Sequence, residues 1–170
     1  QLITCDRSNP AIEVSRRHYR GSLGLIEQNG QYSFNRVLRE QYLRGVVPQE
    51  TPSYWGTLGG GLGMQALKAQ AIAARTYLEA ISERRQAKGY MTDTCDTVGC
   101  QVYLGASANG KPLDYGNDFW TTTAAVVNTS GQIRVAYDGS IPLAEFGSSS
   151  GGWTTPQSEL SAFPAVVDDG

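Results

Sequence analysis

Histidine is almost missing from this chain: His18 is the only one in 170 residues, beside three cysteines. A zinc site asks for four ligands of this kind, and His18 lies far from the cysteines in sequence, so no metal is expected. There is no long basic run and the net charge is −2, which excludes an ordinary nucleic-acid-binding surface. No apolar stretch is long enough to cross a bilayer, so no membrane segment is expected within the chain. Internal repeats are absent too. What is present is enough apolar sequence, 40%, for one sizeable core. The expected organisation is one domain over residues 1–170, with residues 1–18 an irregular lead-in carrying one edge strand. Gln1 stands where a start methionine would, which reads as a processed or cut product.

Cys95 and Cys100 sit in the loop-like run T-C-D-T-V-G-C-Q. Two readings suit them, a pair of reduced buried thiols or a short disulfide-closed ring. The disulfide is preferred, and it implies an oxidising, extracytoplasmic setting. Cys5 is then free, or paired with a cysteine elsewhere.

Tyr19 to Phe34 alternates apolar and polar residues around Asn29-Gly30, the pattern of a β-hairpin. Asn35 is placed to cap a short helix that carries Leu38 and Tyr42 inward and stops at Gly45. A second hairpin is expected from Gln132 to Phe146, turning at Asp138-Gly139, and Gln101 to Gly105 reads as a short strand. A helix beginning at Asp118 would turn Trp120, Ala124 and Val127 to one face. The link from Gly56 to Gly63 holds five glycines, but lacks the lysine and hydroxyl of a phosphate-binding loop, so it reads as a flexible insertion. His18, next to two arginines, reads as a solvated surface residue.

The strongest helix signal follows that link. Leu67, Ala71, Ala74, Leu78 and Ile81 recur at helical spacing, and Arg84, Arg85, Lys88 and Gly89 form a stop. Arg75 lies about 40° from Ala71 on the helical wheel. It therefore needs a carboxylate or carbonyl partner, unless it snorkels past the edge to solvent. Just before the link, Glu50 lies between Pro48 and Pro52 and is followed by Tyr54 and Trp55. Proline restricts its own φ and the residue before it, so a stiff loop presenting one carboxylate beside aromatic surface is expected. Further on, Ser149, Ser150, Trp153 and Thr154 form a glycine-rich lip able to donate hydrogen bonds and stack on a sugar, though Trp153 could equally be core. The class read from these features is α+β: a long central α-helix packed against antiparallel β-hairpins.

Several blocks are similar to a known family. They are Tyr42-Leu43-x-Gly45-Val46-Val47-Pro48-x-Glu50-x-Pro52, Ala66-Leu67-Lys68-Ala69-Gln70-Ala71-x-Ala73-Ala74-Arg75-Thr76-Tyr77, Cys100-Gln101-x-Tyr103 and Ser150-Gly151-Gly152-x-Thr154. Together they resemble the stage II sporulation protein D domain, shared with bacterial amidase-enhancer proteins. The resemblance covers most of the chain and is most specific in the first two blocks. Active members are peptidoglycan lytic transglycosylases, whose acid occupies the place of Glu50. It implies that Glu50 is catalytic and that Tyr54, Trp55, Gln70, Arg75, Gln101, Ser149, Ser150, Trp153 and Thr154 bind substrate. The implied partners are glycan strands of peptidoglycan and an N-acetylmuramoyl-L-alanine amidase, and no cofactor is implied. Some relatives bind zinc through a histidine that is Gly99 here and another that is Gly147, so Cys95–Cys100 stands as a covalent replacement. The chain also stops soon after Phe163-Pro164, where relatives continue, so part of the substrate groove is expected to be missing.

Overall fold

A computed structural model describes residues 2–5, 17–96, 99–108, 111–112 and 120–146. The class is α+β. A mixed sheet contains β2 (Ser22–Glu27), β3 (Gln31–Arg36), β1 (Leu2–Cys5) and β4 (Thr94–Cys95), in that order across the sheet. The β2–β3 hairpin turns where expected, with Asn29 at φ 55° and Gly30 at φ 141°. β1 lies inside the sheet rather than at an edge, antiparallel to β3 and parallel to β4. A two-residue pair, β5 (Ser107–Ala108) and β6 (Lys111–Pro112), forms a separate ribbon. Ile12 to Val14, expected as an edge strand, lie outside the described residues.

Among the described residues, three helices and one 3-10 segment make the other layer: α1 (Arg39–Glu50), the 3-10 segment Ser53–Gly61, α2 (Met64–Ala87) and α3 (Trp120–Asn128). α2 packs on α1, on α3, on the 3-10 segment and on β4; the hairpins are not its main neighbours. Its expected stripe is buried from Leu67 through Leu78. The stop holds as well: Gly89 takes φ 78°, and Tyr90 N–H bonds back to the Arg85 carbonyl at 3.0 Å. The core gathers Val37, Tyr42, Leu43, Val46, Val47, Ala71, Ala74, Leu78, Tyr103 and Val126.

The structure corrects the local expectations for Gly45, Asn35 and Leu38. Gly45 does not stop α1: the helix runs five residues further, because this glycine serves close approach. A Cβ there would meet the Gly105 carbonyl at 2.5 Å and the Tyr103 ring at 2.7 Å. Asn35 is no cap. It is buried in β3, where Nδ2 donates to the carbonyls of Arg20 (2.8 Å) and Ser22 (3.1 Å), and Oδ1 accepts from the Tyr103 hydroxyl (2.9 Å). Leu38 accordingly is not a core residue; it precedes α1 and is 71% exposed. α3 buries Thr121, Thr122, Ala125 and Val126 and exposes Trp120 and Val127. Threonine can face inward here because its hydroxyl is satisfied, as when Thr121 donates to the Ser53 carbonyl.

The second hairpin has its turn but no strands. Ala136 N–H bonds the Ser140 carbonyl at 2.9 Å, while Gln132 to Tyr137 and Ile141 to Phe146 form no ladder. Gln101 to Gly105 likewise pairs in no sheet, though alternate residues Gln101, Tyr103 and Gly105 are buried. Period two was legible there; the hydrogen-bonding partner was not. The glycine link is packed rather than loose at its ends. Gly56 is buried against Thr121, where a Cβ would come within 2.6 Å. Asp118 lies outside the described residues.

Candidate functional site

Glu50 is the last residue of α1, not part of a loop. The helix tolerates Pro48 because the proline falls in the final turn, where only the bond to Arg44 is forfeited. Thr51 then closes the end, its N–H bonding the Val47 carbonyl at 3.0 Å. Val46 and Val47 are fully buried, which anchors this turn and leaves Glu50 half-buried at its edge. Two helical turns before it, Tyr42 is also fully buried.

The carboxylate is met from the 101–105 segment: Val102 N–H donates to Glu50 Oε1 at 3.1 Å. That segment is held from both sides. Gln101, 1% exposed, accepts from the Tyr42 hydroxyl at 3.2 Å and donates from Nε2 to the Ala74 carbonyl at 3.1 Å. Tyr103 stacks obliquely on Tyr42, with ring centroids 4.8 Å apart. Immediately upstream, Cys100 is joined by a disulfide to Cys95 with Cα atoms 5.6 Å apart, within the reach such a bond requires. Burial pushes the Tyr42 phenol well above its usual range. A hydrogen bond with Thr94 opposes the shift, while the charges of Tyr103, Tyr77 and Glu50 add to it. Tyr42 is therefore a neutral donor under the Glu50 turn.

On the solvent side, Pro52 leads directly into the 3-10 segment, where Tyr54 is 63% and Trp55 39% exposed. Gly63 sits against the Trp55 carbonyl so closely that a Cβ would lie 1.9 Å away, which fixes this aromatic surface to the start of α2. Glu50, Tyr54 and Trp55 thus share one short stretch of chain around the end of α1.

Arg75 has a different station. It is fully buried and does not snorkel: Nε and Nη2 fork onto Glu40 at 2.9 and 2.8 Å, and Nη1 reaches the Gln132 carbonyl at 2.9 Å. The carboxylate-plus-carbonyl partnership is as expected, but at the opposite end of α1 from Glu50. Gln101 is likewise interior, so neither side chain has surface to offer a ligand. Gln70 is half-buried, and its enclosed Nε2 has no hydrogen-bond partner among the described residues. His18 is exposed. Ser149, Ser150, Trp153 and Thr154 lie outside the described residues, as does Gly147. No cluster of metal-ligating residues occurs among the described residues, and no helix there is long and apolar enough to cross a membrane. Sequence reading passed over two participants, the Val102 amide and Tyr42. The first is backbone and leaves no residue-type signal; the second was read only as core.

Residues 27–136 match the family described as SpoIID, Stage II sporulation protein. The chain is similar to the amidase enhancer of Bacillus subtilis (strain 168), 36% identical over 127 residues, which is 74% of this chain and 14% of that protein. It is similar to stage II sporulation protein D of Bacillus amyloliquefaciens, 33% identical over 135 residues, or 76% of this chain and 36% of the relative. The stage II sporulation protein D of Bacillus subtilis (strain 168) is 31% identical over 135 residues with the same coverage, 76% and 36%. The chain therefore spans about a seventh of the amidase enhancer's length and about a third of that of the two stage II sporulation proteins D.

Proposed function

From the premise that this chain belongs to the stage II sporulation protein (SpoIID) family, we propose that it is an extracytoplasmic lytic transglycosylase acting on peptidoglycan. Its substrate is the bond between N-acetylmuramic acid and N-acetylglucosamine in glycan strands stripped of their peptides. The observation that carries the reading is a single carboxyl group, Glu50, half-buried and held on one oxygen by the Val102 amide, with exposed Tyr54 and Trp55 beside it in the chain.

One carboxyl group suffices for this chemistry. Protonated Glu50 gives its proton to the glycosidic oxygen as the C1–O bond breaks. The carboxylate then takes the proton of the same muramic acid's C6 hydroxyl as O6 bonds to C1. The products are a free 4-hydroxyl on one fragment and a 1,6-anhydro ring on the other, and Glu50 ends protonated as it began. No water enters, so the second carboxylate of a glycoside hydrolase is not required. Aromatic rings at the surface supply flat faces for the sugars, and the disulfide supports an oxidising location outside the cytoplasm.

A second reading draws on the name of one relative, amidase enhancer, and on the same exposed aromatic surface. In it the domain stimulates an N-acetylmuramoyl-L-alanine amidase without cutting glycan. Incubation with peptide-free glycan strands, followed by mass analysis, separates the two. The transglycosylase reading expects anhydro-muramic acid ends that vanish in Glu50→Gln while strand binding persists. Absence of those ends, or their survival in Glu50→Gln, overturns it. Stimulation of an amidase by Glu50→Gln as well as by the parent would then favour the second.

A further inference from the structure

We infer that Gln101 is a positioning residue for Glu50, a role that rests on the reading of Glu50 as the acid of the site. At 1% exposure Gln101 cannot touch a glycan, so a part in substrate binding has no surface to act through. What it has is a carboxamide with both ends assigned. Oε1 accepts from the Tyr42 hydroxyl at 3.2 Å, and Nε2 donates to the Ala74 carbonyl at 3.1 Å. The Ala74 carbonyl can only accept, so only one orientation of the amide satisfies it.

The next peptide unit is the one that matters. The Val102 nitrogen is bonded to the Gln101 carbonyl carbon, so locking Gln101 leaves that amide little freedom to turn. Its N–H is then aimed at Glu50 Oε1, 3.1 Å away. Tyr42 and Glu50 belong to the same helix, and each bonds to the 101–102 segment, Tyr42 to the Gln101 side chain and Glu50 to the Val102 amide. Ala74 supplies a third fixed point from α2. The chemical consequence concerns the two carboxyl oxygens. Oε1 already accepts a hydrogen bond, so the proton carried by the acid form resides on Oε2. Gln101 thereby selects the oxygen from which a leaving group is protonated.

A glutamine that merely filled the core would affect stability and leave the acid's geometry alone. The test uses the full chain, 15N-labelled, with Gln101→Met, which keeps length and removes both hydrogen bonds. In an acid titration the Val102 amide shift should follow Glu50 in the parent and be flat in Glu50→Gln. In Gln101→Met that response should fall by at least about half while the remaining amides keep their positions. An undiminished response overturns the inference. On peptide-free glycan strands, Gln101→Met should lower kcat about tenfold or more with KM within about twofold. An unchanged kcat, or a rise in KM alone, also overturns it. If the parent releases no anhydro ends, the transglycosylase reading falls, and the Val102 response still decides whether Gln101 positions the carboxylate. Should Gln101→Met fail to fold, Tyr42→Phe replaces it in both arms with the same outcomes. It removes the hydroxyl that fixes Gln101 Oε1 and adds no new titratable group.

Discussion

Arg75 and Glu40 meet as a two-pronged ion pair, Nε on Oε1 and Nη2 on Oε2 at 2.9 and 2.8 Å, with the arginine wholly inside the protein. Further bonds from the guanidinium to the carbonyls of Gln132 (2.9 Å) and Val126 (3.3 Å) complete its satisfaction. A planar fork suits this geometry and a lysine ammonium does not. Glu40→Ala leaves the arginine charge buried with its carbonyls alone, and it should cost about 3 kcal/mol in urea unfolding. Arg75→Lys should fail to restore the parent's stability. A loss under about 1 kcal/mol for Glu40→Ala would show that the pair matters less than its burial implies.

Gly45 poses a contest between two magnitudes. Alanine is the better helix former by about 1 kcal/mol. Against that, its methyl group would press on the Gly105 carbonyl and the Tyr103 ring at 2.5 and 2.7 Å, and the carbonyl is backbone that cannot swing away. Overpacking of this kind costs about 1–3 kcal/mol, so Gly45→Ala should be net destabilising in chemical denaturation. A stabilised variant would mean that α1 and the 101–105 segment can separate freely.

Tyr54 lies mostly at the surface, whereas Trp55 is only 39% exposed, so removing the first should spare the fold more than removing the second. Tyr54→Ala should shift Tm by under about 3 °C and Trp55→Ala by more. Each should weaken binding of glycan strands by about 1 kcal/mol, roughly fivefold, as the loss of a stacking face predicts. Equilibrium binding of fluorescent strands checks it. Unaltered affinity in both variants would remove the 3-10 segment from the substrate path.

Tyr42 yields a pH dependence. Its folded-state pKa lies above the ordinary 10.0, chiefly through burial. Above pH 10 the unfolded chain loses this proton while the folded chain keeps it, so the unfolded state binds fewer protons and stability falls as pH rises. The slope is about 1.4 kcal/mol per pH unit for one such group. Tyr77 is shifted in the same direction, again mainly by burial, with Glu145 adding to it. Tyr42→Phe should therefore flatten the alkaline limb of stability without abolishing it. Denaturant midpoints measured from pH 9 to 11.5 give the comparison, and an unchanged limb would show that Tyr42 ionises freely.

Where sequence reading succeeded, the signal was local. The Asn29-Gly30 turn, the Gly89 stop and the Cys95–Cys100 bridge each need only a few neighbouring residues to be recognised. Where it failed, one residue type had two uses and tertiary contact chose between them. Glycine ends helices and also permits close approach, and Gly45 does the second because Tyr103 arrives from far along the chain. Asparagine caps helices and also satisfies buried carbonyls, and Asn35 does the second. Threonine lowers the apparent hydrophobicity of a helix face, so which side of α3 turns inward was not legible in the sequence. Glu50 stands out through its surroundings in sequence, but the bond its carboxylate makes does not, because the donor is a main-chain amide.

The helix α1 carries an acid near each end, Glu40 and Glu50, ten residues apart. One is clamped by Arg75 and the other rests on the Val102 amide. Ten residues of α-helix make a rod of about 15 Å. Tilting such a rod about its Arg75 end by only about 4° would carry the Glu50 end sideways by about 1 Å, given that length. Displacement on that scale is enough to cost an acid catalyst about a hundredfold in rate. On the proposed role of Glu50, the fork between Arg75 and Glu40 is a mooring for the far end of the helix that carries the acid.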